Sequence, residues 1–217
     1  MTPEELRADM PALDEGIYLN TGAGSPSPRR VVEAAQSEAA FHEYEAPTGA
    51  GTYGALFEAL DETRESVAAH VGTDPEDVAL TQSTADGIAR IAGAMEWEPG
   101  DVVVRTDQEP PAGILPWQHL RETHDVEVRV VEASGGHVDR DEWKSAVDGA
   151  TLAVFSSLCW TDGCRLPTAE LTDIAQEAGA RVLVDAVQSV GQRPVDFEAW
   201  GADAVAAAGH NWLLGPT

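Results

Sequence analysis

The feature that most constrains this chain is a regular alternation of short apolar runs with longer amphipathic stretches. Apolar runs occur at 102–104, 153–155, 182–184 and 204–206, and predicted helices separate them. Strands spaced by helices of roughly 10–15 residues are typical of βαβ units, whose strands pair in parallel. The sequence therefore predicts an α/β fold with a mostly parallel sheet and helices on both faces.

Other elements are predicted from helix caps and hydrophobic periodicity. Residues 213–217 contain an apolar pair followed by a Gly-Pro turn. Such a pattern usually leads into another helix or strand. We therefore expect this sequence to be the front part of a longer protein. The further predictions are a helix beginning near Thr2-Pro3, strands at 17–19, 77–80 and 126–131, and helices at 29–46, 54–71, 84–95, 113–124, 139–147 and 168–178.

The charge balance excludes several classes of partner. The 38 acidic and 13 basic residues give a formal net charge of −25, which disfavours nucleic acid and anionic membrane surfaces. No apolar run reaches the length of a spanning helix, and the acidic N-terminus does not resemble a signal peptide, so we expect a cytoplasmic protein. Lys144 is the one lysine; acid-rich, lysine-poor composition favours a halophilic, high-salt cytoplasm over an ordinary acidic protein.

Metal and dinucleotide sites find little support. Cys159 and Cys164 alone build neither a disulfide framework nor a zinc cluster, and we expect no metal. Gly22-Ala23-Gly24 is half of a dinucleotide fingerprint, but the next required glycine is Ser27, so a turn is the better interpretation.

Three polar groups are predicted beyond the carboxyl ends of strands, where open parallel sheets bind ligands. Ser83-Thr84 opens a helix and is either a phosphate site or a plain N-cap. Asp185, with Gln188 three residues on, follows a buried strand, where a carboxylate needs a cationic or hydrogen-bonding partner unless it only caps a turn. His210 follows the last strand and is either functional or a loop histidine with a local partner.

Taken together, four segments resemble the class V aminotransferase family, whose fold-type I members bind pyridoxal 5'-phosphate (PLP). The ordered set is specific, and it covers nearly the whole chain. The segments are Tyr18-Leu19-Asn20-Thr21-Gly22, Thr81-Gln82-Ser83-Thr84, Asp185-Ala186-Val187-Gln188-Ser189 and Gly209-His210-Asn211-Trp212-Leu213-Leu214-Gly215-Pro216.

The resemblance implies a role for each matching residue. Asp185 would pair with the pyridine nitrogen of PLP, and Gln188 would hydrogen-bond the ring hydroxyl. Ser83 and Thr84 would lie in the phosphate-binding turn. His210 matches the histidine that precedes the Schiff-base lysine of the family. The implied fold is the large domain of a fold-type I enzyme, without its small C-terminal domain.

The departures from the family pattern are concentrated at catalytic positions. Asn211 stands where the family has its lysine, and an amide nitrogen is not nucleophilic enough to replace it. Pro110 stands where the family has the histidine that stacks on the cofactor ring. Lys144 lies in a predicted helix far from any strand end. The resemblance therefore implies an inherited PLP-dependent transfer or elimination on an amino acid, catalytically impaired here and without covalent attachment of the cofactor.

The resemblance also bears on organisation and partners. It predicts an N-terminal segment over 1–30 and a PLP-binding large domain over 31–217, incomplete at its C-terminal end. A homodimer is expected, with a small-molecule amino acid as substrate if the chain is active. The alternatives are an active enzyme that takes its lysine from a partner chain, and a non-catalytic binding or dimerisation module.

Overall fold

The structure, a computed structural model, describes residues 1–216. These residues form two compact units, one of 81–208 and one of 1–80 with 209–216. The helices are α1 (Pro3–Ala8), α2 (Arg29–Tyr44), α3 (Thr52–Val71), α4 (Thr84–Ala94), α5 (Leu115–His124), α6 (Arg140–Val147), α7 (Thr168–Glu177) and α8 (Phe197–Trp200). The strands are β1 (Val102–Thr106), β2 (Glu127–Val131), β3 (Ala133–Ser134), β4 (His137–Val138), β5 (Leu152–Ser156), β6 (Arg181–Asp185) and β7 (Ala204–Ala206).

The unit of residues 81–208 is built on a five-stranded sheet in the order β2-β1-β5-β6-β7. All four strand pairs are parallel. Parallel neighbours require crossover connections, and α5, α6 and α7 supply three of them. The prediction of an α/β fold with a mostly parallel sheet is confirmed.

Alternate residues of the central strands face opposite sides of the sheet, and both sides are covered. Phe155 of β5 packs with Trp143 of α6 and Leu171 of α7 on one face. Val154, the preceding residue, packs with Ile88 of α4 and Trp117 of α5 on the other. Burial on both faces explains why these strands are continuous apolar runs rather than alternating ones.

The register of the two central strands positions the polar residues at their carboxyl ends. Ser156 of β5 lies opposite Asp185 of β6. Because both strands have a neighbour on each side, the residues that follow them emerge inside the structure rather than at a sheet edge. Asp185 is only 1% exposed.

The unit of residues 1–80 and 209–216 is helical, and it contains the longest described helix, the 20-residue α3. Its apolar core is small: Ala55, Ala68 and Val71 are the buried residues of α3. No helix within residues 1–216 is long and apolar enough to cross a membrane.

The predicted elements of the 81–208 unit are confirmed to within one or two residues, and two predicted strands in the other unit are wrong. Residues 17–19 have no regular secondary structure. The 77–80 segment begins with the last residue of a short 3-10 turn, Pro75–Asp77, and pairs with no described strand. Apolar residues alone could not reveal that these segments lack a partner strand. The β3–β4 ribbon and α8 were not predicted.

Truncation of a core valine tests this packing. We expect Val154→Ala to lower the free energy of unfolding by about 2–3 kcal/mol, because the lost methyl groups leave a cavity between α4 and the sheet. The matched control is Val130→Ala on β2, whose side chain is 48% exposed and should change the free energy by less than about 0.5 kcal/mol. Urea denaturation measures both; equal effects would contradict the two-sided core.

Candidate functional site

Asp185 ends β6 with one carboxylate oxygen satisfied and one without a partner. Its Oδ1 accepts a hydrogen bond from the Val187 backbone N–H at 2.9 Å. Its Oδ2 is buried and has no hydrogen-bond partner among residues 1–216. Burial raises the pKa of Asp185 to about 6, and the Val187 N–H works in the opposite direction. An ionised carboxylate in this position therefore lacks a donor, and a cationic N–H group would meet that need.

Glu109 is a second buried carboxyl group, and it is fully hydrogen-bonded. Its Oε1 accepts from the Thr106 hydroxyl at 2.6 Å and from the Ser156 backbone N–H at 2.9 Å. Its Oε2 accepts from the Ser156 hydroxyl at 2.7 Å. Glu109 thus joins the ends of β1 and β5. A Cβ on Gly113 would lie 3.1 Å from Glu109 Oε2, so the absence of a side chain there leaves room for the carboxylate.

The two carboxyl groups influence each other electrostatically. Burial raises the pKa of Glu109 to about 7, hydrogen bonds from Thr106 and Ser156 oppose that rise, and the charge of Asp185 adds to it. Two negative charges in one desolvated region repel, so a cation bound at Asp185 would ease the ionisation of both groups.

Two serine side chains lie next to Asp185 at the carboxyl ends of the strands. Ser157 and Ser189 are both buried, and their Oγ atoms lie 2.7 Å apart. The Ser157 hydroxyl also donates to the backbone carbonyl of Asp185 at 3.2 Å. These contacts fix the backbone on either side of the carboxylate.

The predicted phosphate turn lies at the start of α4. The Ser83 hydroxyl accepts from the Asp86 N–H at 3.1 Å, so it serves as the N-cap that was the alternative interpretation. Thr84 is different, because its Oγ1 is buried and no described residue forms a hydrogen bond with it. Asp86 keeps its negative charge in the same turn, since hydrogen bonds from Gln82 and Arg90 lower its pKa. That charge opposes the dipole that favours anions at a helix start.

The remaining predicted residues of this unit are placed as follows. Gln188 is buried, three residues beyond Asp185. Pro110 is half-buried and begins the 3-10 turn Pro111–Gly113 directly after Glu109. Its ring has no proton to transfer and no aromatic face. Lys144 is exposed on α6, a helix whose Trp143 and Val147 are buried.

His210 and Asn211 belong to the other unit, within 209–216. The His210 carbonyl accepts from the Ser25 N–H at 2.9 Å. Asn211 is 2% exposed, and its Nδ2 donates to the carbonyl of Gly22 at 2.8 Å and to that of Thr21 at 3.4 Å. Its Oδ1 has no hydrogen-bond partner in the described part of the chain. The amide therefore ties residue 211 to the Thr21-Gly22 turn.

Sequence reasoning missed Glu109, Ser156 and Ser157 as members of this site. The two serines directly follow a predicted strand, and the rule that selected Asp185 would have selected them as well. Glu109 lies in the loop after β1, beside Pro110 in the segment that matches the Glu-His pair of the family, but its hydrogen bonds to Ser156 of β5 are visible only in the folded chain.

A model of the class-V aminotransferase family matches residues 17–217, and the chain belongs to this family. It is 38% identical to a probable cysteine desulfurase of Methanothermobacter thermautotrophicus, over 100% of this chain and 54% of that protein. The apo structure of a cysteine desulfurase from Thermococcus onnurineus NA1 superposes with a TM-score of 0.91 at 28% identity, covering 100% of this chain and 55% of the other.

A second solved structure contains the cofactor. It is a lysine-to-alanine mutant of the enzyme C-DES with glycine covalently linked to PLP, with a TM-score of 0.90 at 25% identity, covering 97% of this chain and 57% of that one. The chain spans about half the length of the relatives it matches. The fold of this chain is thus that of a PLP-dependent fold-type I protein.

The buried Glu109 predicts how stability depends on pH. Its pKa rises from an ordinary 4.5 to about 7 on folding, so between these values the folded protein binds more protons than the unfolded chain. The free energy of unfolding should therefore fall as pH rises from about 4.5 to about 7, by on the order of 3 kcal/mol from this group. Glu109→Gln keeps the shape and should flatten this fall.

Urea denaturation at several pH values measures the effect. The control is Glu122→Gln, which removes an exposed carboxylate from α5 and should leave the slope unchanged. An identical pH profile for Glu109→Gln and the unmodified protein would show that the Glu109 carboxyl is not desolvated.

Proposed function

We propose that this chain is the PLP-binding part of a protein related to the cysteine desulfurases, with an inherited activity of transfer or elimination on an amino acid. The observation that carries the proposal is the buried, unpartnered Oδ2 of Asp185 at the carboxyl end of a central parallel strand. A desolvated carboxylate oxygen without a donor fits the protonated pyridine nitrogen of PLP. The unpartnered hydroxyl of Thr84 fits an oxygen of its phosphate.

Three residues of the 81–208 unit would contact PLP directly. Asp185 Oδ2 would hold the proton of the ring nitrogen, Thr84 would donate to the phosphate, and Gln188 would donate to the ring hydroxyl. When bound, PLP supplies an electron sink that stabilises negative charge on the α-carbon of an amino acid. Glu109 would keep the loop before Pro110 attached to β5 through Ser156.

We also propose that catalysis is impaired. Asn211 replaces the lysine that forms the covalent bond with the cofactor aldehyde in the family, and its amide is already engaged with the Thr21-Gly22 turn. Pro110 replaces the stacking histidine. Lys144, the one lysine of the sequence, lies exposed on α6. PLP would therefore bind without a covalent bond to this chain.

A PLP titration tests cofactor binding. We expect saturable binding with an absorbance of free aldehyde, and no adduct after borohydride reduction and mass measurement. The titration is run in molar potassium chloride, because we propose a halophilic, cytoplasmic protein from its net charge of −25. A reducible adduct on Lys144 would overturn the impairment, and no binding at all would overturn the cofactor assignment.

Asp185→Asn isolates the carboxylate. We expect it to weaken PLP binding by at least about tenfold, since a charge-assisted hydrogen bond of roughly 1.5–3 kcal/mol is lost. The unmodified protein should also lose affinity as pH falls below about 6, where Asp185 becomes protonated, and the variant should not. Asp173→Asn on the exposed side of α7 is the matched control and should bind normally.

A second candidate function, a dimerisation module, is favoured by exposed apolar side chains on α3. Tyr53, Leu56 and Phe57 are 74%, 41% and 60% exposed, and their spacing places them on one helix face. Water contact with so many large apolar groups is unfavourable, and a second copy of the chain would cover them.

Light scattering during size-exclusion chromatography tests this candidate. We expect a dimer in the unmodified protein and a monomer in Phe57→Ser, while Thr63→Ser on the same helix should remain dimeric. A monomeric unmodified protein would contradict the homodimer, whether or not PLP binds.

A further inference from the structure

The segment that follows β5 folds into a tight antiparallel hairpin. Leu158 and Arg165 form an antiparallel bridge. The Cys159 N–H donates to the Cys164 carbonyl at 2.8 Å, and the Gly163 N–H donates to the Cys159 carbonyl at 3.1 Å. Gly163 has a φ of +72°, which closes the turn in a conformation that other residues rarely adopt.

This hairpin places the two cysteines of the chain directly opposite each other. Since Leu158 pairs with Arg165, the next pair along the hairpin is Cys159 with Cys164. Opposite residues of an antiparallel pair have Cα atoms about 4.5–5.5 Å apart and side chains on the same face. A disulfide requires Cα atoms about 4.4–6.8 Å apart, so this pairing falls within range.

The two thiols also converge on one group. The side chain of Asp162, in the turn of the hairpin, accepts a hydrogen bond from the Cys164 backbone N–H at 2.8 Å, and both thiols help this bond to lower the pKa of Asp162. Cys159 is buried, and its Sγ donates to Gln108 Oε1 at 3.1 Å. On the other side, a Cβ on Gly136 would lie only 2.7 Å from the Cβ of Cys164, so the absence of a side chain at Gly136 leaves room for Cys164.

We propose that Cys159 and Cys164 form a reversible disulfide within this hairpin, made by exchange with a small-molecule disulfide such as oxidised glutathione. One cysteine thiolate attacks the reagent and releases one glutathione thiol. The second cysteine then attacks the mixed disulfide, forms the Cys159–Cys164 bond and releases the other. Two thiol hydrogens and two electrons pass to the reagent, so the exchange balances.

The surroundings of Cys164 control how fast the exchange runs. Partial burial and the neighbouring Asp162 raise the pKa of the Cys164 thiol, so little thiolate is present at neutral pH. Formation of the disulfide should therefore be faster at alkaline pH. Asp162→Asn removes the negative charge and should speed the exchange several-fold at neutral pH.

The experiment incubates the reduced, folded protein with a fixed ratio of oxidised to reduced glutathione. Free thiols are then alkylated, and the intact mass and the linked peptides are measured. The expected product is a single chain, lighter by two hydrogen atoms, with Cys159 bonded to Cys164. Because the hairpin holds the thiols together, the oxidised fraction should be several-fold higher than in concentrated urea.

Several results would overturn the proposal. They are a glutathione adduct that stays on either cysteine, a disulfide between two chains, or an oxidised fraction no greater in the folded protein than in urea. Cys164→Ser is the control, and Cys159 in that variant should end as a mixed disulfide or a free thiol. Since neither cysteine is assigned a role in binding PLP, failure of this test is independent of the PLP titration.

Discussion

Desolvation of two carboxyl groups at the carboxyl edge of the parallel sheet is the constraint on which the candidate site depends. The central position of β5 and β6 removes the water that would otherwise solvate the residues that follow them. Glu109 meets this constraint with hydrogen bonds from within the chain, to the ends of both β1 and β5. Asp185 meets it only in part, and the remaining oxygen defines what a ligand must supply.

The two carboxyl groups therefore differ in their contacts: Glu109 stabilises the fold, and Asp185 keeps an oxygen that a ligand can reach. Glu109 links a loop to a strand, and all of its partners are donors from the chain itself. The Ser157 hydroxyl binds the backbone carbonyl of Asp185, and the Val187 N–H binds its Oδ1, so Oδ2 stays available. In the proposed function, this arrangement would hold the cofactor ring, although Asn211 and Pro110 stand in place of the reacting groups.

Much of the 81–208 unit could be predicted from sequence because its strands are local, apolar and separated by capped helices. The runs that became β1, β5 and β6 needed no knowledge of their partners to be recognised. The predicted strands at 17–19 and 77–80 failed because strand formation needs a neighbour, and none is supplied there. The residues of the candidate site also differ in whether they could be predicted from local sequence.

Asp185 and Thr84 stand next to predicted elements and could be selected in advance, and their roles with PLP stay predictions. The hydrogen bonds of Glu109 span 47 positions to Ser156, and the pairing of Cys159 with Cys164 depends on a hairpin. Neither has a periodic pattern in the sequence. Tertiary contacts of this kind become visible only once the backbone is placed.

The hydrogen bonds of the Asn211 amide also bear on the stability of the helical unit. The short side chain of Asn211 brings a nitrogen to the carbonyls of Thr21 and Gly22, and a lysine nitrogen, carried on a stem of four methylenes, would overshoot that position. Asn211→Lys would thus remove hydrogen bonds that hold the Thr21-Gly22 turn within the helical unit. A lysine at position 211 would need another contact to this turn if the unit is to keep its stability.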